Sequence, residues 1–587
     1  MKSLAGCSPP GWRLWVLVFP LAACSQLGPD DAVFKDAANA YMSAQEFLLS
    51  IDPAPQLSPQ QEALLSTIRS RRTSAEVHVA RLASAPASML QVGLRLGLAV
   101  APGKVFVASG ERVSQRTPTD ISWAGPLHAQ EGWATLVLTA RGVTGTLRSG
   151  SALHTFEPLG GGLEAIVRVD ENKFPPEEPP SLDASPSVPG FQTPPPGAGI
   201  NGVPLWPEPS TGTPSCQPYQ DPPCIDVMVV YTPAAAGAVG DMAGLIQTAV
   251  DETNQSYANS SINASVRLVH EEQVDYSEVG HTYPDHVNLL QGTTDGVMDN
   301  VHALRNQYLA DVVVLVVYDA TACGYASTIL AQRTTAFAAV DYSCATGHYS
   351  FGHEIGHLQG ARHDRFVDAT GTPFQDGHGY VDPANYQWRT IMAYDDACEF
   401  YAGHTCTRVQ YWSNPEVPYP PTGQAMGTTT YENDARVVEQ TAIILRQFYT
   451  IPSPSGFTIT NWYTTGEMPD LTWDAVSGAQ YYHVYACDAT TDVFGCDRFD
   501  TGADGYQTAV VTGTEYQDYF SGTTTGHSGC FDGGDQWYYY VTAENGTGES
   551  PRVANWAAAC LNGGFKMAAT SKARLPSLRR PVDVRGR

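Results

Sequence analysis

The sequence predicts a multidomain chain centred on an α/β domain over residues 223–452, with an α+β region before it and a β-sandwich after it. Three observations predict this. Apolar strand-like runs alternate with helical stretches between residues 225 and 450, a Pro-rich run separates them from what precedes, and beyond Pro452 apolar and polar residues alternate in Tyr- and Trp-rich segments. At 587 residues the chain is long enough for several domains, each with its own core.

The amino terminus reads as an export signal. After Lys2 and Arg13, the run Leu14 to Ala23 is apolar, too short to span a bilayer, and ends in small residues, so residues 1–23 are expected to be a signal peptide. Leu21-Ala22-Ala23-Cys24 resembles a bacterial lipobox, with Ser25 resembling the following residue of outer-membrane lipoproteins. Two readings follow: a lipid on Cys24 that tethers the protein to the outer membrane or cell surface, or ordinary secretion with Cys24 unmodified. Release to the medium is compatible with either. Residues 31–85 show helical periodicity, and 90–170 contain the short apolar runs VGLRLGLAV, WATLVLTA and LEAIVRV between glycines. Residues 24–170 are therefore expected to form an α+β prodomain-like region. Residues 171–222, with FPPEEPPSLDASPSVPGFQTPPPGAG, read as a Pro-rich linker, extended and open to proteases.

Within 223–452 the expected order is a buried strand IDVMVVYT, a helix around 235–258, a strand ASVRLVHEE, a helix near 295–308 and the strand DVVVLVVY. Residues 324–340 offer an edge strand against which an extended substrate can pair its backbone. An active-site helix is expected at 350–360, and the helix VVEQTAIILRQF closes the domain.

Residues 353–363, HEIGHLQGARH, carry the chemistry. His353 and His357 are four apart, so a helix projects both imidazoles from one face with Glu354 beside them. Gly360 lets the helix end and the chain swing back, which brings His363 to the same point from another direction. Three neutral imidazoles at about 2.0 to 2.1 Å from one Zn²⁺ leave a fourth position for water, the arrangement of catalytic rather than structural zinc. Such a metal lowers the pKa of its water to about 7, and Glu354 is placed to take the proton as the water attacks a carbonyl. The reaction class is metal-assisted hydrolysis, foremost of a peptide bond, with a non-peptide amide served equally well by the same groups. A polar helix face is the competing reading of a bare HExxH; five fixed positions, three of them His in a chain with 15 His, argue against it.

HExxHxxGxxH followed by Met392 in TIMAY resembles the metzincin metalloproteases, and His363-Asp364 resembles their reprolysin-like branch. IDVMVVYTPAA at 225–235, Cys323-Gly324-Tyr325-Ala326, HGY at 378–380, TIMAY and WSNP at 412–415 narrow the resemblance to bacterial peptidyl-Asp metallopeptidases over roughly residues 222–450. The resemblance implies an α/β metzincin catalytic domain with an active-site helix and a Met-turn, a zinc endopeptidase activity, and a preference for cleaving beside Asp. Tyr394 stands where some metzincins carry a tyrosine that reaches the metal or the tetrahedral intermediate. Two roles are open for it: donation to the developing oxyanion, or bracing of the turn. Asp364 is expected to orient structure near His363, and His348 and His378 to be loop residues without ligand spacing. The specificity wall is expected around residues 395–425.

LTWDAVSGAQYYHVYAC and QWYYYVTAENGTGES, with Trp473, resemble a fibronectin type III sandwich over 453–565, a module that binds substrate or merely spaces. Residues 566–587 are basic and Pro-interrupted, and read as a disordered solvated tail. Setting aside Cys7 and Cys24 leaves ten cysteines, and proximity pairs Cys216 with Cys224, Cys323 with Cys344, Cys398 with Cys406, Cys487 with Cys496 and Cys530 with Cys560. The net charge of -27 argues against a nucleic-acid partner. Acidic loops can also take Ca²⁺, although no EF-hand pattern places one. No cysteine lies between Cys24 and Cys216, which excludes a thiolate plug from that region. Latency, if built in, is expected from residues 25–170 acting as an inhibitory or folding region released by a cut in the linker; the alternative is a permanent spacer. The competing class of function is a surface adhesion protein whose metzincin scaffold has lost its activity, and retention of His353, His357, His363 and Glu354 argues against it.

Overall fold

A computed structural model describes residues 47–180 and 223–448, together with parts of 454–556. The expected signal peptide, Cys24, residues 181–222, Cys216, Cys496, Cys530, Cys560 and the basic tail lie outside the described residues.

The N-terminal region is built on one ten-stranded sheet. Its strands are β1 (Phe47–Ile51), β2 (Ser74–Leu82), β3 (Arg95–Ala101), β4 (Lys104–Ser109), β5 (Arg112–Thr117), β6 (Asp120–Pro126), β7 (Trp133–Leu138), β8 (Val143–Ser149), β9 (Ala152–Gly160) and β10 (Leu163–Val169). They are ordered β4-β3-β1-β2-β10-β9-β8-β7-β6-β5. Among the described residues of 31–85, which begin at Phe47, the helical reading holds only for α1 (Pro59–Ser70), where Ser58 and Gln61 form a capping box and Pro59 opens the first turn. The flanking residues are strands instead. β2 pairs along its length with β10, and this long-range ladder outweighs the local periodicity. Leu65 and Ile68 of α1 pack with Val79, Ala165 and Val167, while Ile166 points to the opposite core with Trp123 and Phe156.

The next domain has the expected elements in order, with two differences: the helix expected around 235–258 is split into Pro233–Ala238 and Met242–Asn259, and Tyr283–Gln291 adds a helix that was not expected. β11 (Cys224–Tyr231), α2 (Met242–Asn259), β12 (Ser265–Gln273), α3 (Tyr283–Gln291), α4 (Asn300–Tyr308), β13 (Val312–Val317), β14 (Gly324–Ala326), β15 (Phe337–Asp341), α5 (Ser350–Leu358) and α6 (Asp434–Leu445) follow one another. The sheet runs β12-β11-β13-β15-β14, parallel except for the antiparallel edge strand β14. In β13 the even residues Val312, Val314 and Val316 enter one core, and Val313, Leu315 and Val317 the other. A strand covered on both faces by helices reads as an unbroken apolar run for this reason.

α2 joins the two regions. Ile246, Ala249 and Val250 face the core of the second domain. Its polar side meets the N-terminal sheet: Ser122 donates to Asp251, Thr139 to Asp241 at 2.6 Å, Thr146 to Glu252 at 2.5 Å, and Arg112 to Gln255 at 3.0 Å. The expected boundary is corrected here. Residues 171–180 are not free linker, because Glu171–Lys173 form a helical turn and Pro175, Glu177 and Pro180 are buried. Arg148 anchors the turn by a two-bond pair with Glu171 at 2.8 and 2.9 Å. A Pro-rich segment has little side-chain entropy to lose, so it packs readily once a surface is offered.

At the C-terminal side, strands Thr458–Thr460, Asp470–Thr472 and Glu515–Gln517 form one antiparallel sheet, and Tyr481–Asp488, Gln507–Val511, Trp537–Asn545, Gly548–Glu549 and Val553–Trp556 another. Phe457, Leu471, Trp473, Tyr482, Val484 and Val541 share one core, the two-sheet packing expected from the alternation. No helix among the described residues is long and apolar enough to cross a membrane.

Glu252 makes the docking of the two regions sensitive to pH. Burial pushes its carboxyl from an ordinary 4.5 up to about 7, against the pull of bonds from Thr146 and the Gly347 amide. A raised carboxyl stabilises the fold fully below its ordinary pKa, and that contribution is lost as pH rises through about 7. Glu252→Gln removes the titration, keeping the Gly347 N–H on its oxygen and reversing the Thr146 bond so that the amide donates to the hydroxyl. The variant is expected to gain stability over the native chain as pH rises from 5 to 8, by on the order of a few kcal/mol, in paired denaturant melts. An advantage independent of pH would contradict this.

Candidate active site

α5 carries His353, Glu354 and His357, all buried. Gly360 then takes φ +100°, and a Cβ there would stand 2.8 Å from Phe374, so only glycine makes the turn. His363 returns to the helix, and its Nε2 lies 3.3 Å from Nε2 of His353 and 2.9 Å from Nε2 of His357. The other ring nitrogens of His353 and His357 are occupied. Nδ1 of His353 donates to the Ile391 carbonyl and Nδ1 of His357 to that of Ala361, both at 2.9 Å, which turns the Nε2 lone pairs toward one another.

Burial is the main reason that His353 and His363 are pushed well below the ordinary imidazole value and His357 down to about 4. Three neutral imidazoles with facing lone pairs repel unless a cation lies between them. Tetrahedral bonds of about 2.0 to 2.1 Å place ligand nitrogens roughly 3.3 Å apart, so this donor set fits Zn²⁺. Glu354 is pushed well above the ordinary carboxyl value, by burial first and then by Glu177. Neither of its carboxylate oxygens has a hydrogen-bond partner. Gly324 of β14 lies against it, and a Cβ there would stand 2.5 Å from Glu354 Oε1.

The floor of the site is packed under α5. Met392 and Trp412 are fully buried, and a Cβ on Gly356 would approach them to 3.0 and 2.6 Å. Trp412 is held by Ser256 and Ser260 at the end of α2, at 2.8 and 2.7 Å. Tyr257 donates to Gln359, whose amide reaches the Val438 carbonyl of α6. Two helices, α2 and α6, thus fix the height of α5. Asp364 accepts from the Tyr394 amide at 2.8 Å and ties the His363 turn to the Met392 turn. His378 donates to the His363 carbonyl at 2.7 Å, and His348 stacks on Phe174 at 4.2 Å. Neither joins the three-imidazole cluster.

The ring of Tyr394 stands 4.0 Å from that of His363, and its hydroxyl donates at 3.1 Å to the backbone carbonyl of Glu177. Glu177 belongs to the segment expected to be linker. The Cys323 amide donates to the Pro176 carbonyl at 2.8 Å, and the Glu178 amide to the Gly324 carbonyl at 3.1 Å, so this segment lies along the edge strand. The Glu177 carboxylate accepts from Ser350 and from Arg408, each at 2.6 Å. Arg408 sits on β17 (Thr407–Arg408), which pairs in parallel with β16 (Trp388–Arg389). Two disulfides brace these walls. Cys323–Cys344 ties the β14 side to the stretch before α5, and Cys398–Cys406 closes the loop before Arg408. Both were expected from proximity; Cys224 is disulfide-bonded too. Sequence reasoning missed Glu177, Ser350 and Arg408. The only signal was that Arg408 falls in the 395–425 wall.

Residues 222–413 match the family model for metallo-peptidase family M12. A peptidyl-Asp metalloendopeptidase of Stenotrophomonas maltophilia (strain R551-3) is 39% identical over 339 residues, which cover 57% of this chain and 75% of that relative. The chain belongs to the peptidyl-Asp metalloendopeptidase family. A second member, from Xanthomonas campestris pv. campestris, is 38% identical over 340 residues, 58% of this chain and 74% of that one. A more distant member from Pseudomonas aeruginosa is 25% identical over 283 residues, 43% and 45% of the two chains. Among solved structures, an fn3 domain of human collagen alpha-1(XX) chain aligns over 20% of this chain and 93% of its own, at 18% identity and a TM-score of 0.14. Family membership makes this chain a zinc metalloendopeptidase of the metzincin-like bacterial class.

The packing under α5 has a measurable cost of disturbance. Gly356→Ala is expected to destabilise the peptidase domain by about 1–3 kcal/mol in denaturant unfolding, since the added methyl overlaps Trp412 and Met392 in a full core. A neutral substitution would show that the floor gives way.

Proposed function

We propose that the chain hydrolyses peptide bonds with His353, His357 and His363 as the zinc ligands and Glu354 as the general base. The observation that carries this reading is the convergence of three buried Nε2 atoms beside an unpartnered carboxylate. Zinc, when bound, supplies a Lewis acid that acidifies water and polarises the scissile carbonyl. Glu354, whose dry surroundings raise its proton affinity, takes the proton of the attacking water and passes it to the leaving amine. Tyr394 favours the oxyanion role over simple bracing, because its hydroxyl already donates to a carbonyl of a chain lying in the cleft. Met392 serves as the Met-turn beneath the site. β14 pairs the substrate backbone, in keeping with its bonds to residues 176 and 178.

The relatives are named for cleavage at Asp, and we carry that preference to this chain. The N-terminal region acts as an inhibitory prodomain, in that residues 174–180 fill the cleft and must leave before substrate enters. Export through the signal peptide and a lipid on Cys24 would hold the precursor at the outer membrane, and the C-terminal sandwich, taken as fibronectin type III-like, would bind or space.

Casein digestion is expected to stop on chelation and to fall by about 10²- to 10⁴-fold in Glu354→Ala, the range for loss of a general base. Sequencing of the products is expected to find Asp beside the cut. Activity unchanged by Glu354→Ala would refute the mechanism. The full-length chain is expected to digest casein at least about tenfold more slowly than the same protein after release of residues 25–180. Equal rates would leave the N-terminal region as a spacer.

A further inference from the structure

Arg408 is a buried cation beside the hydrolytic groups that the peptide-cleaving reading does not use. It is 2% exposed, and among the described residues its ion pair is with Glu177, itself 6% exposed. The guanidinium Nη1 donates to Glu177 Oε1 at 2.6 Å and to the His348 carbonyl at 3.0 Å. Ser350, at the start of α5, donates to the same carboxylate oxygen at 2.6 Å. The neighbouring cation Arg389 is already paired with Asp395 at 3.0 and 3.1 Å, so it does not compete for this acid. Glu177 Oε2 has no partner, and a Glu177 carboxylate oxygen lies within 4.8 Å of a His353 ring nitrogen and a Glu354 carboxylate oxygen.

The pair spans two regions of the chain. Arg408 and Ser350 belong to the peptidase domain, whereas Glu177 belongs to the N-terminal segment laid along β14. When that segment leaves, the domain keeps a guanidinium and a hydroxyl that have lost their shared acceptor, both at a vacancy beside Glu354. A buried cation without a counter-charge is costly, and a carboxylate is the group that answers it, as Glu177 does with one oxygen shared by Arg408 Nη1 and Ser350. An apolar or amide side chain would leave the charge uncompensated, which turns a binding preference into discrimination. We propose that Arg408 and Ser350 form the subsite that receives the acidic side chain of the substrate, and that Glu177 fills this subsite in the uncut chain. The inference rests on the endopeptidase reading of the His353–Glu354 site and names the residues that set its substrate class.

The test uses the whole chain, before and after release of the N-terminal region, with peptides that differ only in Asp, Glu, Asn or Ala at one position. The ratio of kcat/KM for the Asp over the Asn peptide is expected to fall at least about tenfold in Arg408→Gln, less in Arg408→Lys, and several-fold in Ser350→Ala. A second readout needs no metal. In the chelator-treated full chain, hydrogen exchange at the Cys323 and Glu178 amides is expected to quicken in Glu177→Gln, because those two bonds hold the segment on the edge strand. An unchanged Asp to Asn ratio in an active Arg408→Gln would overturn the subsite while leaving the endopeptidase reading intact. If Arg408→Gln does not fold, Ser350→Ala and Glu177→Gln decide, and no change in either refutes the proposal. A native chain with no chelator-sensitive cleavage would instead refute the endopeptidase reading, and the subsite with it.

Discussion

Three imidazole nitrogens held about 3 Å apart in a dry cavity are the constraint on which the rest of this structure depends. Lone pairs that face one another at that range repel unless a cation lies between them. The arrangement persists because each side is fixed from behind: carbonyls of Ile391 and Ala361 hold two rings, and the Gly360 turn delivers the third. Behind those lie Met392, Trp412 and the ends of α2 and α6, packed too closely for a methyl on Gly356. The core exists to hold a polar centre that would otherwise come apart.

A second polar centre sits beside the first, and it couples two parts of the chain. Glu354 and Glu177 are buried near one another, and Arg408 supplies the compensating charge. Glu177 and Arg408 cancel one another's charge in low dielectric only while both are present. Without the N-terminal segment, Arg408 and Ser350 would lose the acceptor they share. The same region is held at a distance by α2, where Asp241, Asp251 and Glu252 meet hydroxyl groups of the N-terminal sheet. Docking thus rests on buried acids at both places.

Much of the catalytic domain was legible in residue order. β13 is recognisable because a strand covered on both faces has no polar side to show, and α5 because ligand spacing and helical period coincide. The disulfides Cys323–Cys344 and Cys398–Cys406 follow from closeness in sequence, which keeps the loop to be closed short. The N-terminal region was less legible. β1 and β2 pair with one another inside residues 31–85, but their other partners, β3 and β10, lie beyond that window.

The sequence alone determined the chemistry, since HEIGHLQGARH needs only a helix and one glycine turn to bring its three His residues and Glu354 together. Tertiary structure alone decided what shares the cleft with them. Glu177 and Arg408 stand 231 residues apart, one in a Pro-rich run and the other in a two-residue strand, and neither carries a local pattern. Their pairing arises from the path of the chain over β14. Local spacing encodes a motif within a few turns of backbone, whereas a contact between distant segments is specified only by the packing that brings them face to face.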